Sequence, residues 1–513
     1  MPLIDRIAIP KTLAGLAIVD GVPDGYEAFA LAAAAAEIAP DGPVLFVARD
    51  GQRLPAITEA LAFAAPELPV VELPAWDCLP YDRVSPGADA AARRLDAMAQ
   101  IASLRRNPHR AVILTTANAL LQRMPGADFV EAQTLSAKPG NQIDMKLLIA
   151  RLENSGFERV PTVRDVGEFA VRGGILDLYA PGADEPLRLD FFGDTLESIR
   201  AFDVATQRTT GQRNAFAMQP MSEIALTPEA ISRFRRNYIE AFGAPSRDDA
   251  LYTAVSEARR FAGMEHWLPF FYEKLETLFD YLPDAPVVFD HLAREALAER
   301  HKLIQDHYEA RRQQSDGALK EAIPYKPVKP ALIYASPEEV DKRIASRPAL
   351  ELTPFDAPET AGRRLFHAGG KAGRSFEQER ADPNANVFEA VAKYIADVRT
   401  GERKVVIAGW TAGSLDRLGQ ILAEHHLEKL KPADTLAAVE KLKPGEAALS
   451  VLPIESGFAT SKFIVVAEQD ILGDRLVRRS KKRRRAADFI AEAAALDAGD
   501  IVVHADHGIG RFV

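Results

Sequence analysis

The sequence predicts a multidomain α/β protein: a parallel-sheet domain carrying a mostly-β insertion, a second α/β domain, and the opening of a further β segment. Three observations predict it. At 513 residues the chain exceeds what one hydrophobic core supports. Buried-type apolar runs alternate with helical patterns over the first 130 or so residues, the signature of a parallel sheet. From about Lys138 the texture changes to short runs with period-two alternation and glycine turns.

In chain order, Leu16-Ala17-Ile18-Val19 leads through a Gly/Asp/Pro loop into an alanine-rich helix over 26–38, then the strand Val44-Leu45-Phe46-Val47. A short strand at Val70-Val71, a helix over 89–101 and the strand Ala111-Val112-Ile113-Leu114 repeat the pattern. The β insertion runs through Arg172-Gly173-Gly174-Ile175 and Leu187 to Phe192. Helical pattern returns at Pro228, and Val287-Val288-Phe289-Asp290 has the character of a strand rejoining the first sheet. Composition suggests linkers over 324–330 and 356–384. Beyond them, strands over 404–408 and 463–467 with a helix over 414–425 make a further α/β unit.

Composition narrows the function classes. With 47% hydrophobic and 27% charged residues and a mean hydropathy of −0.12, the chain resembles ordinary globular proteins rather than disordered ones. No apolar run reaches the roughly 20 residues that span a bilayer, so neither a membrane partner nor a membrane location is expected. The lone Cys78 excludes an internal disulfide and a thiolate metal cluster and suits the reducing cytoplasm. A net charge of −10 confines any nucleic-acid contact to a local basic patch.

The loop after the first strand stands where a phosphate-cradling loop would, but Gly21 and Gly25 have no following lysine or hydroxyl. Asp290 stands where a metal-holding aspartate would, followed by His291 instead of a glutamate. Both halves of an ATPase site read as degenerate, unless the segments never served a nucleotide. Gly369-Gly370-Lys371 lies in a linker and lacks the strand-to-helix context.

In Leu187-Arg188-Leu189-Asp190-Phe191-Phe192, alternation puts Arg188, Asp190 and Phe192 on one face. An exposed arginine beside an aromatic is interface composition; the alternative is that Phe192 caps a second core. Arg172, before two glycines, is placed where a bulge would aim it outward, either toward the same patch or simply into solvent. The run with Arg478, Arg479, Lys481, Lys482, Arg483, Arg484 and Arg485 is either a solvated linker or a DNA contact. His504 and His507 lack a third ligand, so no metal is expected.

Several stretches taken together resemble the bacterial transcription-repair coupling factors (Mfd). They are 73–82 (Leu-Pro-Ala-Trp-Asp-Cys-Leu-Pro-Tyr-Asp), 167–178, 188–192, 202–209, 263–267, 472–475 and 502–510, in family order. The resemblance implies a module similar to UvrB in two parts, 1–137 and 226–335, around a UvrA-binding insertion at 138–225. It further implies a linker at 336–355, a third α/β domain at 356–470, a basic linker at 471–496, and at 497–513 the truncated start of a domain that contacts the RNA polymerase beta subunit. The family's UvrA contact uses two arginines and an aromatic, and the matching positions are Arg172, Arg188 and Phe192. ATP and magnesium serve the motor of the full-length family, which also binds DNA. No motor motif stands in this sequence, so the expectation is a docking chain that recruits UvrA to stalled polymerase, without catalytic residues or a cofactor. The rival readings are a divergent UvrB-like ATPase and a basic-linker DNA-binding module.

Overall fold

The computed structural model describes residues 3–10, 12–246, 248–316, 325–358, 364–401, 403–473, 501–504 and 508–511. Two compact units emerge, 1–471 and 472–513.

The first sheet of the larger unit has seven strands among the described residues, all parallel. Their order is Arg364–His367, Gly15–Asp20, Pro348–Leu352, Val287–Phe289, Pro43–Ala48, Ala111–Thr116, Val70–Leu73. Val287–Phe289 therefore does rejoin the first sheet. Two segments expected as linkers do not behave as linkers. Residues 336–355 hold a helix, Pro337–Ile344, and the interior strand Pro348–Leu352, whose Ala349, Leu350 and Leu352 are buried. Within 356–384, Arg364–His367 forms the sheet's edge. Prolines and charges flank these strands, so composition masks pairing that only distant partners reveal.

The helix Glu27–Ile38 is apolar nearly all round its surface, and a helix of that kind must be enclosed. It is buried between the first sheet and another made of Lys371–Ala372, Phe458–Ala459, Phe463–Ala467, Lys404–Gly409, Ala447–Val451 and Leu430–Pro432. Its alanines allow close backbone approach, while Phe29 stacks edge-on at 5.1 Å from Phe458. One core thus joins the two sheets.

The insertion is a six-stranded sheet over 158–213, ordered Thr209–Arg213, Thr195–Phe202, Leu187–Phe192, Ile175–Leu178, Glu168–Arg172, Glu158–Arg159. Its inner face, with Phe169, Leu176, Leu189, Phe191 and Ile199, packs under Leu148 and Leu152 of the helix Met145–Asn154. A buried ion pair, Arg94 to Glu223 at 2.8 Å, fastens the end of the insertion to the helix Ala88–Arg106.

In the smaller unit, Ile501–His504 pairs antiparallel with Gly508–Arg511. The basic run 478–485 and His507 lie outside the described residues. No helix among the described residues is long and apolar enough to cross a membrane. Nor do the described residues bring together three or more His, Cys, Asp or Glu side chains able to hold a metal ion.

Candidate protein-docking site

Period-two alternation decides what the insertion shows to solvent. In the strand Leu187–Phe192, Leu189 and Phe191 are buried, whereas Phe192 is 77% exposed. Phe192 stands at a tight turn through Gly193 and Asp194 into Thr195, its cross-strand partner. It does not cap a second core: the small cluster on that face is Val163, Ala170 and Phe202.

Arg172 precedes a second tight turn, Gly173-Gly174, and pairs with Ile175. This is a hairpin end rather than the expected bulge. Gly173 has φ +63°, which favours glycine, and a Cβ on Gly174 would stand 2.7 Å from the Phe191 carbonyl oxygen. The Phe191 N–H donates to the Gly174 carbonyl at 2.8 Å, so the two turns lie side by side at one end of the sheet.

The three positions singled out in the sequence are not equivalent. Arg188 is not the exposed arginine that alternation suggested: its side chain is only 16% accessible. Its Nε and Nη2 donate to the two carboxylate oxygens of Asp177 at 2.7 and 2.9 Å, and its guanidinium lies 4.9 Å from the Phe202 ring centre. The Asp177 hydrogen bond holds the Arg188 proton more firmly than usual, against the opposing effect of burial. Arg172 is 49% accessible and donates to the Pro161 carbonyl at 2.8 Å, with Asp177 at 3.9 Å. Beside them Asp190 accepts from Ser198 and Arg200. An exposed aromatic, a half-exposed arginine and a braced charge network are the composition of a protein contact.

The loop of Gly21 and Gly25 is occupied by the protein itself. The Gly25 N–H donates to Glu27 Oε2 at 2.7 Å, where a phosphate oxygen would accept. Arg53, which sequence reading missed, pairs with Asp290 at 2.7 Å and with Glu27. Burial pushes Glu27 up to about 7 despite Arg53, and raises Asp290 as well. Burial opposes the Arg53 charge, but Asp290, Glu27 and Asp24 hold its proton well above the ordinary range. The Gly370 N–H donates to the Gly21 carbonyl at 2.9 Å, and a Cβ at Gly25 would overlap the Ser456 carbonyl. A lone arginine after Ala48-Arg49-Asp50-Gly51-Gln52 gives no sequence signal for this role, because its partners lie 26 positions upstream and more than 200 downstream.

A family model described as the UvrB interaction domain matches residues 135–224, which hold this six-stranded sheet. The transcription-repair-coupling factor of Rickettsia bellii is 28% identical over 470 residues, covering 92% of this chain and 40% of that protein. That of Myxococcus xanthus is 30% identical over 500 residues, with 92% and 40% covered. That of Mycobacterium bovis is 30% identical over 526 residues, with 96% and 41% covered. The chain thus spans about 40% of the length of these relatives. Over nearly all of its own length it is similar to the transcription-repair-coupling factors and carries the match to the UvrB interaction domain within it.

Proposed function

We propose that this chain is a docking component of transcription-coupled nucleotide excision repair that binds UvrA through the outward face of its insertion. The observation that carries the reading is Phe192, 77% exposed at a hairpin end beside the half-exposed Arg172, within the segment matching the UvrB interaction domain. In this reading Phe192 fills an apolar socket on UvrA, Arg172 meets a carboxylate, and Arg188 braces the sheet beneath them. Delivery of UvrA to RNA polymerase stalled at damage, through contact of the 497–513 region with the polymerase beta subunit, follows from the family resemblance.

The test is binding of purified UvrA to the wild-type chain and to Phe192→Ala. An exposed aromatic anchor is worth ~2 kcal/mol, a loss of roughly thirtyfold in affinity. Wild-type binding that Phe192→Ala and Arg172→Ala leave unchanged would remove this face from the contact.

The ATPase alternative is disfavoured by the pairing of Arg53 with Asp290 and Glu27 and by the packing of 369–370 and 456 against the loop. We propose that this loop holds neither ATP nor magnesium. ATP turnover by the purified chain that Asp290→Asn abolishes would restore that alternative. DNA contact through 478–485 would appear as affinity that falls steeply with salt and is lost when the run is neutralised.

A further inference from the structure

One carboxylate organises the proposed docking face. Asp177 is 1% exposed, on the strand Ile175–Leu178, in register with Ala170 on one side and Arg188 on the other. Arg188 in turn pairs across with Arg200. An anion buried beneath a sheet surface needs a cation close by, and Arg188 supplies it through a two-pronged contact with both carboxylate oxygens. The contact leaves the guanidinium little freedom, with the Phe202 ring at 4.9 Å. Arg172 reaches the same carboxylate at 3.9 Å, while its hydrogen bonds at 2.8 and 3.2 Å go to the neutral Pro161 carbonyl and Thr162 hydroxyl. The neighbouring acid, Asp190, is taken by Arg200 and Ser198. Arg188 and Arg172 therefore share a single anion, and it is not the one nearest the surface.

We infer that Asp177 is a positioning residue for UvrA docking: its buried carboxylate fixes the directions of Arg188 and Arg172, and through them the charge pattern next to Phe192. The inference rests on the proposed function. Asp177 touches no partner, so its whole effect on binding passes through the arginines. Asp177→Asn keeps the shape and one acceptor oxygen but removes the anion.

The experiment measures UvrA affinity and thermal stability for wild type, Asp177→Asn, Arg188→Leu, the double variant of these two, and Phe192→Ala. Asp177→Asn is expected to weaken binding about tenfold, the order seen for a charge-assisted contact. In the Arg188→Leu background the same change should cost little more, because its main route to the partner is already gone. If Asp177→Asn or Arg188→Leu alone melts the insertion, each leaving one charge of the pair behind, the double variant still decides, since it leaves no ionised group of the pair. Affinity of the folded double variant about tenfold below wild type supports the inference, and wild-type affinity in it overturns it. Wild-type affinity in a folded Asp177→Asn also overturns it. Failure of the wild-type chain to bind UvrA would instead sink the docking reading itself.

Discussion

Replacing Arg94 by methionine tests how the insertion is held to the sheet domain. Arg94 is fully buried, and its Nε donates to Glu223 Oε1 at 2.8 Å, an oxygen that also accepts from Trp76 Nε1 at 2.7 Å. A further bond runs from Arg94 Nη1 to the Pro74 carbonyl at 2.8 Å. Methionine fills much of the volume but strands Glu223 as a buried carboxylate without a cation. Breaking a buried pair from one side costs about 3–5 kcal/mol, whereas removing both charges is often close to neutral. Because the chain has several cores, one global unfolding energy is not defined, and the loss is best read locally by amide hydrogen exchange over 216–226. A local loss of ~3 kcal/mol speeds exchange there roughly a hundredfold, while strands such as Lys404–Gly409 in the other sheet stay protected. Arg94→Met combined with Glu223→Leu should restore most of the protection. Exchange unchanged within about threefold in the single variant would refute the claim that this pair fastens the insertion.

Further outcomes follow from the same geometry. Gly25 has φ +89° and faces the Ser456 carbonyl, whereas Gly140 has φ +92° and open space, so Gly25→Ala should destabilise more than Gly140→Ala, which costs about 1–2 kcal/mol for conformation alone; equal melting shifts would mean 456 does not press on the loop. Phe458→Ala removes a fully buried ring from the core shared by two sheets, and a loss of about 3–5 kcal/mol is expected in protection of both sheets. His266 is 1% exposed, with no hydrogen-bond partner on either ring nitrogen, and burial lowers it from 6.5 to about 4. Its folded pKa lies below its unfolded one, so the folded chain resists protonation: its stability contribution is complete above pH 6.5 and falls as pH drops toward 4, by ~3 kcal/mol at most. His266→Phe should remove that part of the acid sensitivity, and parallel stability curves for the two proteins between pH 7 and 4 would show the assignment to be wrong.

Local pattern carried a good part of this fold. The runs at 16–19, 44–47, 111–114 and 287–289 are strands because β-type apolar residues cluster there between turn signals, and Glu27–Ile38 is enclosed because alanine covers nearly all its sides. The alternation in 187–192 correctly separated an inner from an outer face. What could not be read depends on partners far along the chain. Pro348–Leu352 is an interior strand only because Gly15–Asp20 and Val287–Phe289 flank it. Asp177 does lie on the face of Arg188 by alternation, but the Phe202 ring against Arg188 and the Pro161 carbonyl that takes Arg172 lie outside any short window around 177.

The two candidate sites explain each other through charge. At the carboxyl ends of the first sheet, where α/β folds usually receive ligands, Glu27 and Asp290 pair with Arg53, and His367 Nδ1 lies 2.6 Å from Asp20 Oδ1. Gly21 and Gly25 let the backbone of 370 and 456 approach the loop closely. The carboxyl end of the first sheet is a packing interface, in keeping with the single core beneath two sheets. The insertion shows the opposite arrangement. Its carboxylates are spent on Arg188 and Arg200, leaving Arg172 with neutral acceptors at hydrogen-bonding distance and Phe192 without a core. The half-exposed Arg172, whose nearest carboxylate is 3.9 Å away, and the 77% exposed Phe192 therefore stand together at one end of the insertion, and that pairing is the physical reason to expect this chain to work by docking.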